Sequence, residues 1–329
     1  MQVGFFFWPY TPELCERLAH RADRYGYAMI GIADTPGNAM DPWVAAAIVA
    51  RSCRRARVAI CVTNLLSRHP AVSAAAVASL DQLANGRAVL GVGAGNSGTK
   101  NVGLAKSRPH ELADGVTFIR TLLRGEPATL AGATAHLPWV KRAPPVFLAA
   151  SHPRPLQVAG RTAEGVFVNY GLGPDNIRES RVPSSPAPQS RAARPTTSRF
   201  GRSRRSTATR TATSRAKVGA MLAFLAGYVI GNKNLERRGV PEALRARLLQ
   251  LHARYNARPG EADIKLVQEL GLFDYLSRRL AICGNPQDCL GQALAAKSAG
   301  AERLMLTVSL ASDPVRTVDL FGEHVLPQL

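Results

Sequence analysis

"RVAICVTNLLSRHPAVSAAAVASLDQLANGRAVLGVGAG", running from Arg57 to Gly95, decides the fold. Its two ends, RVAICVTN and RAVLGVGAG, are continuous apolar runs of strand length, as in strands buried on both faces. Between them Pro70 opens a helical stretch, AVSAAAVASLDQLANG, that Gly86 closes. Strand, helix and strand in succession make a parallel βαβ unit.

The alternation extends both ways. Upstream, QVGFFFW (Gln2–Trp8) reads as a strand, and Thr11 then offers an N-cap with Pro12 at the first helical position. Leu14, Leu18 and Ala22 follow at helical spacing as far as Gly26. YAMIGIAD (Tyr27–Asp34) is the next strand and DPWVAAAIVARSC (Asp41–Cys53) the next helix. Downstream, the helix HELADGVTFIRTLLRG leads to the strand PPVFLAAS, the helix PLQVAGRTA and the strand EGVFVNYG, which ends at Gly171. AERLMLTVS (Ala301–Ser309) and the helix DPVRTVDLFGEHVLP close the chain. Such a sequence predicts a parallel sheet in an α/β fold, a (β/α)8 barrel formed as a single domain over residues 1–329.

Seven strands are clear, and a (β/α)8 barrel needs eight. Strand seven should lie between the sixth and the last, where residues 181–213 consist almost wholly of Arg, Ser, Thr, Ala and Pro. That composition is what GC-rich DNA yields when read out of frame. One admissible set of codons for Thr197–Thr213, read two bases later, encodes a strand-like apolar run and then an acidic loop. A shifted frame would restore strand count and charge together, so it is preferred to a disordered basic insert. A nucleic-acid-binding arm ranks third, because Phe200 is the segment's one aromatic residue. After the segment, AMLAFLAGYVIG and PEALRARLLQLHARY suggest a helical insertion over residues 215–275.

The net charge of +19 would ordinarily suggest a polyanionic partner. Residues 181–213, however, hold eight of the 42 basic residues and none of the 23 acids. Without them 34 basic residues face 23 acids, a balance of +11. Nucleic acid is therefore not expected as a partner of the body of the protein. No basic n-region precedes the opening apolar run, and Ala220–Gly231 is too short to span a bilayer, so a soluble, cytoplasmic protein is expected. Five scattered cysteines without CxxC spacing indicate neither a disulfide framework nor a metal site.

GAGNSG (Gly93–Gly98) matches the GxGxxG pattern and follows a strand. A dinucleotide site also needs a helix opening at once and an acid ending the next strand. TKNVGLAKSRP follows instead, broken by Gly103 and Pro109. The better reading is a glycine-rich loop at the C-terminal end of strand four, where Gly93, Ala94, Gly95 and Asn96 let backbone N–H groups approach a flat ring or a phosphate. Glycines required only by a tight turn are the competing reading.

CVTNLLSRHPAVSAAAVASLDQLANGRAVLGVGAGNSG, VFLAASHPRPLQVAGRTAEGVFVNYGLGP and the ending DPVRTVDLFGEHVLPQL resemble the bacterial luciferase-like superfamily. VTN…RHP and LGVGAGNSG are most similar to its methylenetetrahydromethanopterin reductase-like branch, which uses the deazaflavin F420. The resemblance runs through residues 3–180 and 214–329. It implies a hydride-transfer barrel acting on a small organic substrate, with a tricyclic ring at the C-terminal mouth and a homodimeric assembly. It also implies a non-prolyl cis peptide behind the ring, at Cys61–Val62. Read from sequence alone, Cys61 is an inert buried thiol. Thr63 and Asn64 would meet the ring or ribityl chain, or simply cap the strand end. Ser151 and His152 would hold the cofactor's phosphate, with charge from Arg154, although the family often has Gly where His152 stands. Asn169 and Gly171 would meet the cofactor tail. His69, placed just before Pro70, reads as a helix-entry residue.

On the substrate side, Asp34 and Thr35 end strand two. Asp34 is the candidate proton carrier, and Thr35 and Trp43 would wall the pocket, unless Trp43 is simply core. The family's sugar-phosphate dehydrogenases carry His where Thr35 stands and an acid near Asn96, so that activity is disfavoured. The expectation is an F420-dependent oxidoreductase. An FMN-dependent monooxygenase is the alternative, and a non-enzymatic barrel with a basic nucleic-acid-binding insert is the alternative of another class.

Overall fold

The computed structural model describes residues 1–150, 153–168, 203–208, 225–236, 238–255, 265–309 and 313–329, with single positions at 177, 219, 222, 223 and 311. Its elements are β1 (Gln2–Phe7), α1 (Pro12–Tyr25), β2 (Met29–Ile32), α2 (Pro42–Ser52), β3 (Arg57–Thr63), α3 (Pro70–Leu83) and β4 (Ala88–Val92). After these come α4 (Ser97–Lys100), α5 (Pro109–Leu123), β5 (Ala128–Leu130), β6 (Ala133–Ala135), β7 (Val146–Ala150), α6 (Pro153–Thr162) and β8 (Gly165–Val168). Strands β1 to β4 are each shorter than the apolar run that announced them. The residues released from the ladder at the C-terminal ends, Asp34, Asn64 and Gly93–Gly95, are those that build the site.

Local chemistry sets the helix starts. The Thr11 hydroxyl accepts the Leu14 N–H at 3.2 Å. Asp41 Oδ1 accepts Trp43 N–H at 2.9 Å and Val44 N–H at 3.2 Å, and His69 Nδ1 accepts Ala71 N–H at 3.2 Å. Each satisfies N–H groups that the first helical turn leaves without a partner, and each helix has proline at its start. His69 therefore has the helix-entry role expected of it.

The described chain falls into two compact units. The first is drawn from residues 1–168 with 302–305, and its sheet is parallel. Its order is Arg303–Met305, β1, β2, β3, β4, β7, β8. Gly4 lies level with Met29, Met29 with Arg57, and Val58 with Ala88. The hairpin β5–β6 is antiparallel and separate from this sheet. The sheet's inner face packs Met29, Ala59, Cys61, Val89, Phe147, Phe167 and Met305 into one cluster. Phe147 and Phe167 meet with ring centroids 5.4 Å apart. Burying an aromatic side chain of this size stabilises by about 1.5–3 kcal/mol. Gly31 leaves room for that packing, since a Cβ there would lie 2.8 Å from the Cβ atoms of Cys61 and Phe6.

The second unit is drawn from residues 204–301 and 306–329. Two strands occupy the interval where the sequence shows none, Ser203–Ala208 and Ala281–Gly284. They pair in parallel, with Arg205 opposite Ala281. Thus a strand does run through the Arg/Ser/Thr-rich stretch. Ladder hydrogen bonds join backbone to backbone, so a polar composition does not forbid one. The rest of residues 181–213 lies outside the described residues. Helical pieces at Ala226–Ile230, Glu242–Arg254, Leu266–Glu269 and Phe273–Leu280 fall in and just beyond the expected helical interval. Leu222, Leu248, Leu251, Leu266 and Leu276 belong to their shared core. Among the described residues, no helix is long and apolar enough to cross a membrane.

Candidate active site

Three neighbouring strands, β2, β3 and β4, release their C-terminal residues at one edge of the sheet. The β3 ladder breaks register between Ile60 and Thr63, and the Cys61–Val62 peptide in that break is cis, where the resemblance places one. Cys61 is buried against the inner cluster, and burial alone pushes its thiol up to about 12. It is an inert thiol at neutral pH. Val62 turns toward β4, where a Cβ on Gly93 would come within 3.0 Å of its Cγ2 and one on Gly91 within 2.8 Å of its Cγ1.

Thr63 is buried, and its hydroxyl donates to Asp34 Oδ2 at 2.6 Å, tying β3 to β2. Burial raises the Asp34 pKa, and the Asp41 charge adds to the rise; the Thr63 hydrogen bond and the Arg68 charge oppose it. The carboxyl thus holds its proton to higher pH than a solvated aspartate does. Thr35 is buried too, accepting from Trp8 Nε1 at 3.1 Å and lying 3.5 Å from Ser97 Oγ. Asn64 uses its amide to fold the loop beyond β3. Oδ1 accepts Leu66 N–H at 2.9 Å and Ser67 N–H at 2.8 Å, while Nδ2 donates to Ser67 Oγ at 2.9 Å. This makes Asn64 a positioning residue for the loop.

The glycine-rich loop has internal reasons for its glycines. Gly95 sits at φ +93°, and a Cβ there would strike Thr99 at 2.4 Å. Gly98, in the first turn of α4, would press a Cβ to 2.8 Å from the Asp34 carbonyl oxygen. The loop is thereby seated on the end of β2. Gly93 and Ala94 add no bulk above β4, Val62 is half-buried beside them, and the Asn96 side chain makes no capping bond to α4. Flanked by the hydroxyls of Thr35, Thr63 and Ser97, this surface suits a flat, partly polar ring.

Next to it opens a pocket of about 520 Å³, walled by Asp34, Met40, Trp43, Leu66, Arg68 and Leu104 among others. Arg68 Nη2 pairs with Asp41 Oδ2 at 3.1 Å, and its guanidinium lies 5.6 Å from the centre of the Trp43 ring. Trp43 Nε1 is buried without a hydrogen-bond partner among the described residues. Leu66, Val102 and Leu104 are 42%, 46% and 42% exposed at this pocket.

Asp34, Thr35, Trp43, Cys61–Asn64 and Gly93–Asn96 are thus gathered at one sheet edge. Ser151, His152, Asn169 and Gly171 lie outside the described residues, as does the Arg154 side chain. The Arg68–Asp41 pair escaped the sequence reading. Asp41 is legible as an N-cap, but a partner 27 positions away has no local signature.

A parallel α/β sheet with its polar side chains and a pocket at the C-terminal strand ends is the arrangement of the (β/α)8-barrel enzymes. The chain belongs to the luciferase-like monooxygenase family, whose profile matches residues 11–303. A 5,10-methylenetetrahydromethanopterin reductase from Methanolobus tindarius is 24% identical, over 99% of this chain and 100% of its own. The coenzyme F420-dependent tetrahydromethanopterin reductase of Methanopyrus kandleri shares the fold, with a TM-score of 0.78 and 18% identity over 100% of this chain and 99% of its own. So does the FMN-bound oxygenating constituent of 3,6-diketocamphane monooxygenase from Pseudomonas putida, with a TM-score of 0.63 and 18% identity over 100% of this chain and 99% of its own. These likenesses match the expected fold class and family.

Proposed function

We propose that the protein is an F420-dependent oxidoreductase that moves a hydride between the deazaflavin and a small, neutral, largely apolar alcohol or carbonyl compound. The observation that carries this reading is the Thr63–Asp34 hydrogen bond set between the small-residue surface at Gly93–Asn96 and the pocket at Trp43. F420, when bound, supplies or accepts the hydride. Val62, Thr63 and Gly93–Asn96 would hold its ring, with Thr35 and Asn64 supporting them. Its phosphate-bearing tail is assigned to Ser151, His152, Asn169 and Gly171 on the resemblance alone.

The protein's own part is to position, to exclude water and to manage one proton. Thr63 fixes the Asp34 carboxyl at the pocket wall. Burial raises its pKa above that of a solvated aspartate, which favours the protonated form that would give a proton to a nascent alkoxide; the ionised form would take one back in the reverse direction. The pocket's other charges, Asp41 and Arg68, neutralise each other, and Met40, Trp43, Leu66, Val102 and Leu104 present apolar surface. A phosphorylated substrate would meet no unpaired cation among these described walls, which supports a neutral substrate. A homodimer in the cytoplasm remains the assembly and location that the resemblance implies.

The FMN-dependent monooxygenase reading rests on the FMN-bound fold relative. Equilibrium titration with F420 and with FMN, followed by a substrate panel of neutral ketones and phosphorylated sugars, separates the two. Saturable F420 binding and ketone reduction support the proposal. Preference for FMN with oxygen consumption overturns it.

A further inference from the structure

The pocket's guanidinium, that of Arg68, is already engaged. Asp34, Asp41 and Arg68 are the charged residues among the pocket's described walls, so two carboxyls face a single cation. Arg68 Nη2 donates to Asp41 Oδ2 at 3.1 Å, and the guanidinium carbon lies 5.6 Å from the centre of the Trp43 ring. A counter-charge and an aromatic face together hold the fork in place. The two side chains are 34% and 45% exposed, so the pair lies open to whatever enters the pocket. An ion pair this open contributes little to stability.

Asp41 divides its two oxygens between two tasks. Oδ1 accepts the Trp43 N–H at 2.9 Å and the Val44 N–H at 3.2 Å, capping α2, while Oδ2 takes Arg68. Asparagine caps a helix as well as aspartate does, but its Nδ2 cannot accept from a guanidinium. Asp41→Asn therefore keeps the start of α2 and releases Arg68.

We infer that Asp41 determines the charge of the substrate: by occupying Arg68 it excludes carboxylate-bearing compounds from a pocket that would otherwise bind them. The inference rests on the reading of this pocket as the substrate site and does not depend on the cofactor. An entering carboxylate meets like charge from Asp41 and finds the fork that fits it taken, and a repulsive element of this kind sets specificity as an attractive contact does. Without the Asp41 charge, the same fork offers parallel N–H bonds to a carboxylate beside the apolar Met40, Leu66 and Leu104.

The test is calorimetric titration of the full chain with cyclohexanecarboxylate and with cyclohexanecarboxamide, a pair matched in shape, in alkaline buffer at constant ionic strength. The unaltered protein should prefer the carboxamide. In Asp41→Asn the ratio of carboxylate to carboxamide affinity should rise about ten- to hundredfold, the range of a charge-assisted hydrogen bond. Adding Arg68→Gln should abolish that rise. If Asp41→Asn does not fold, Asp41→Ser, which also keeps a capping oxygen, is read in its place with the same rise expected. Preference of the unaltered protein for the carboxylate, a ratio that Asp41→Asn leaves unchanged, a rise that survives loss of Arg68, or no saturable binding of either probe overturns the inference. F420 is titrated separately into the same preparation, and its failure to bind counts against the cofactor while leaving this result standing.

Discussion

Replacing Thr63 with valine tests the join between β3 and β2 with little change of shape. The variant removes the O–H that donates to Asp34 Oδ2 at 2.6 Å from a hydroxyl on a residue only 2% exposed. Hydrogen bonds to charged groups contribute about 1.5–3 kcal/mol. The methyl that replaces the hydroxyl recovers about 0.8 kcal/mol of burial. The net loss expected in alkaline buffer is therefore roughly 1–2 kcal/mol, read from urea midpoints at equal m-value.

The pH dependence gives the sharper reading. Because burial raises the folded-state pKa of Asp34, the folded chain holds this proton more tightly than the unfolded chain does. The stabilisation is present in full below the unfolded value and is lost as pH rises through the raised folded value. Thr63 favours the ionised form, so its removal raises the folded pKa further and costs most where Asp34 is charged. The cost should shrink in acid and shrink again in an Asp34→Asn background. A Thr63→Val penalty that is absent in alkaline buffer, or that is the same with and without Asp34, would refute this account of the bond.

Asp34→Asn should leave F420 affinity within a few-fold while lowering ketone turnover by about a hundredfold or more, the lower end of general acid–base contributions; stopped-flow oxidation of reduced F420 reads both, and unchanged turnover removes Asp34 from the chemistry. Gly91→Ala places a Cβ 2.5 Å from the Ile60 carbonyl oxygen and 2.8 Å from Phe167, so overpacking of about 1–3 kcal/mol is expected in chemical denaturation. Re-reading the coding DNA from codon 175 to codon 220, with peptide mass mapping, should show a broken frame across residues 181–213; an intact frame with matching peptides makes the arginine run genuine.

Legibility followed the length and purity of apolar runs. Strands β1 to β4 were readable because each lies inside a longer, continuous apolar run of the sequence. Ala281–Gly284 was not, since four residues carry no periodicity and its partner lies far back at Ser203–Ala208. The helix Pro286–Ser298 was not read from the sequence either, although the structure shows its capping box, in which Asn285 and Asp288 exchange hydrogen bonds at 3.0 Å. Its apolar positions are too scattered to read as a face. At the site, Asp34 and Trp43 were legible from their places at a strand end and a helix start. What Asn64 binds, and why Gly95 and Gly98 are glycines, depends on contacts across loops that no spacing encodes.

The central claim is the cofactor, and a direct titration of purified protein with F420, followed by fluorescence and matched against FMN, tests it. One-to-one binding of F420 at least about tenfold tighter than FMN, a difference of about 1.4 kcal/mol, is the predicted result. Tighter binding of FMN, or saturation by neither, would contradict it.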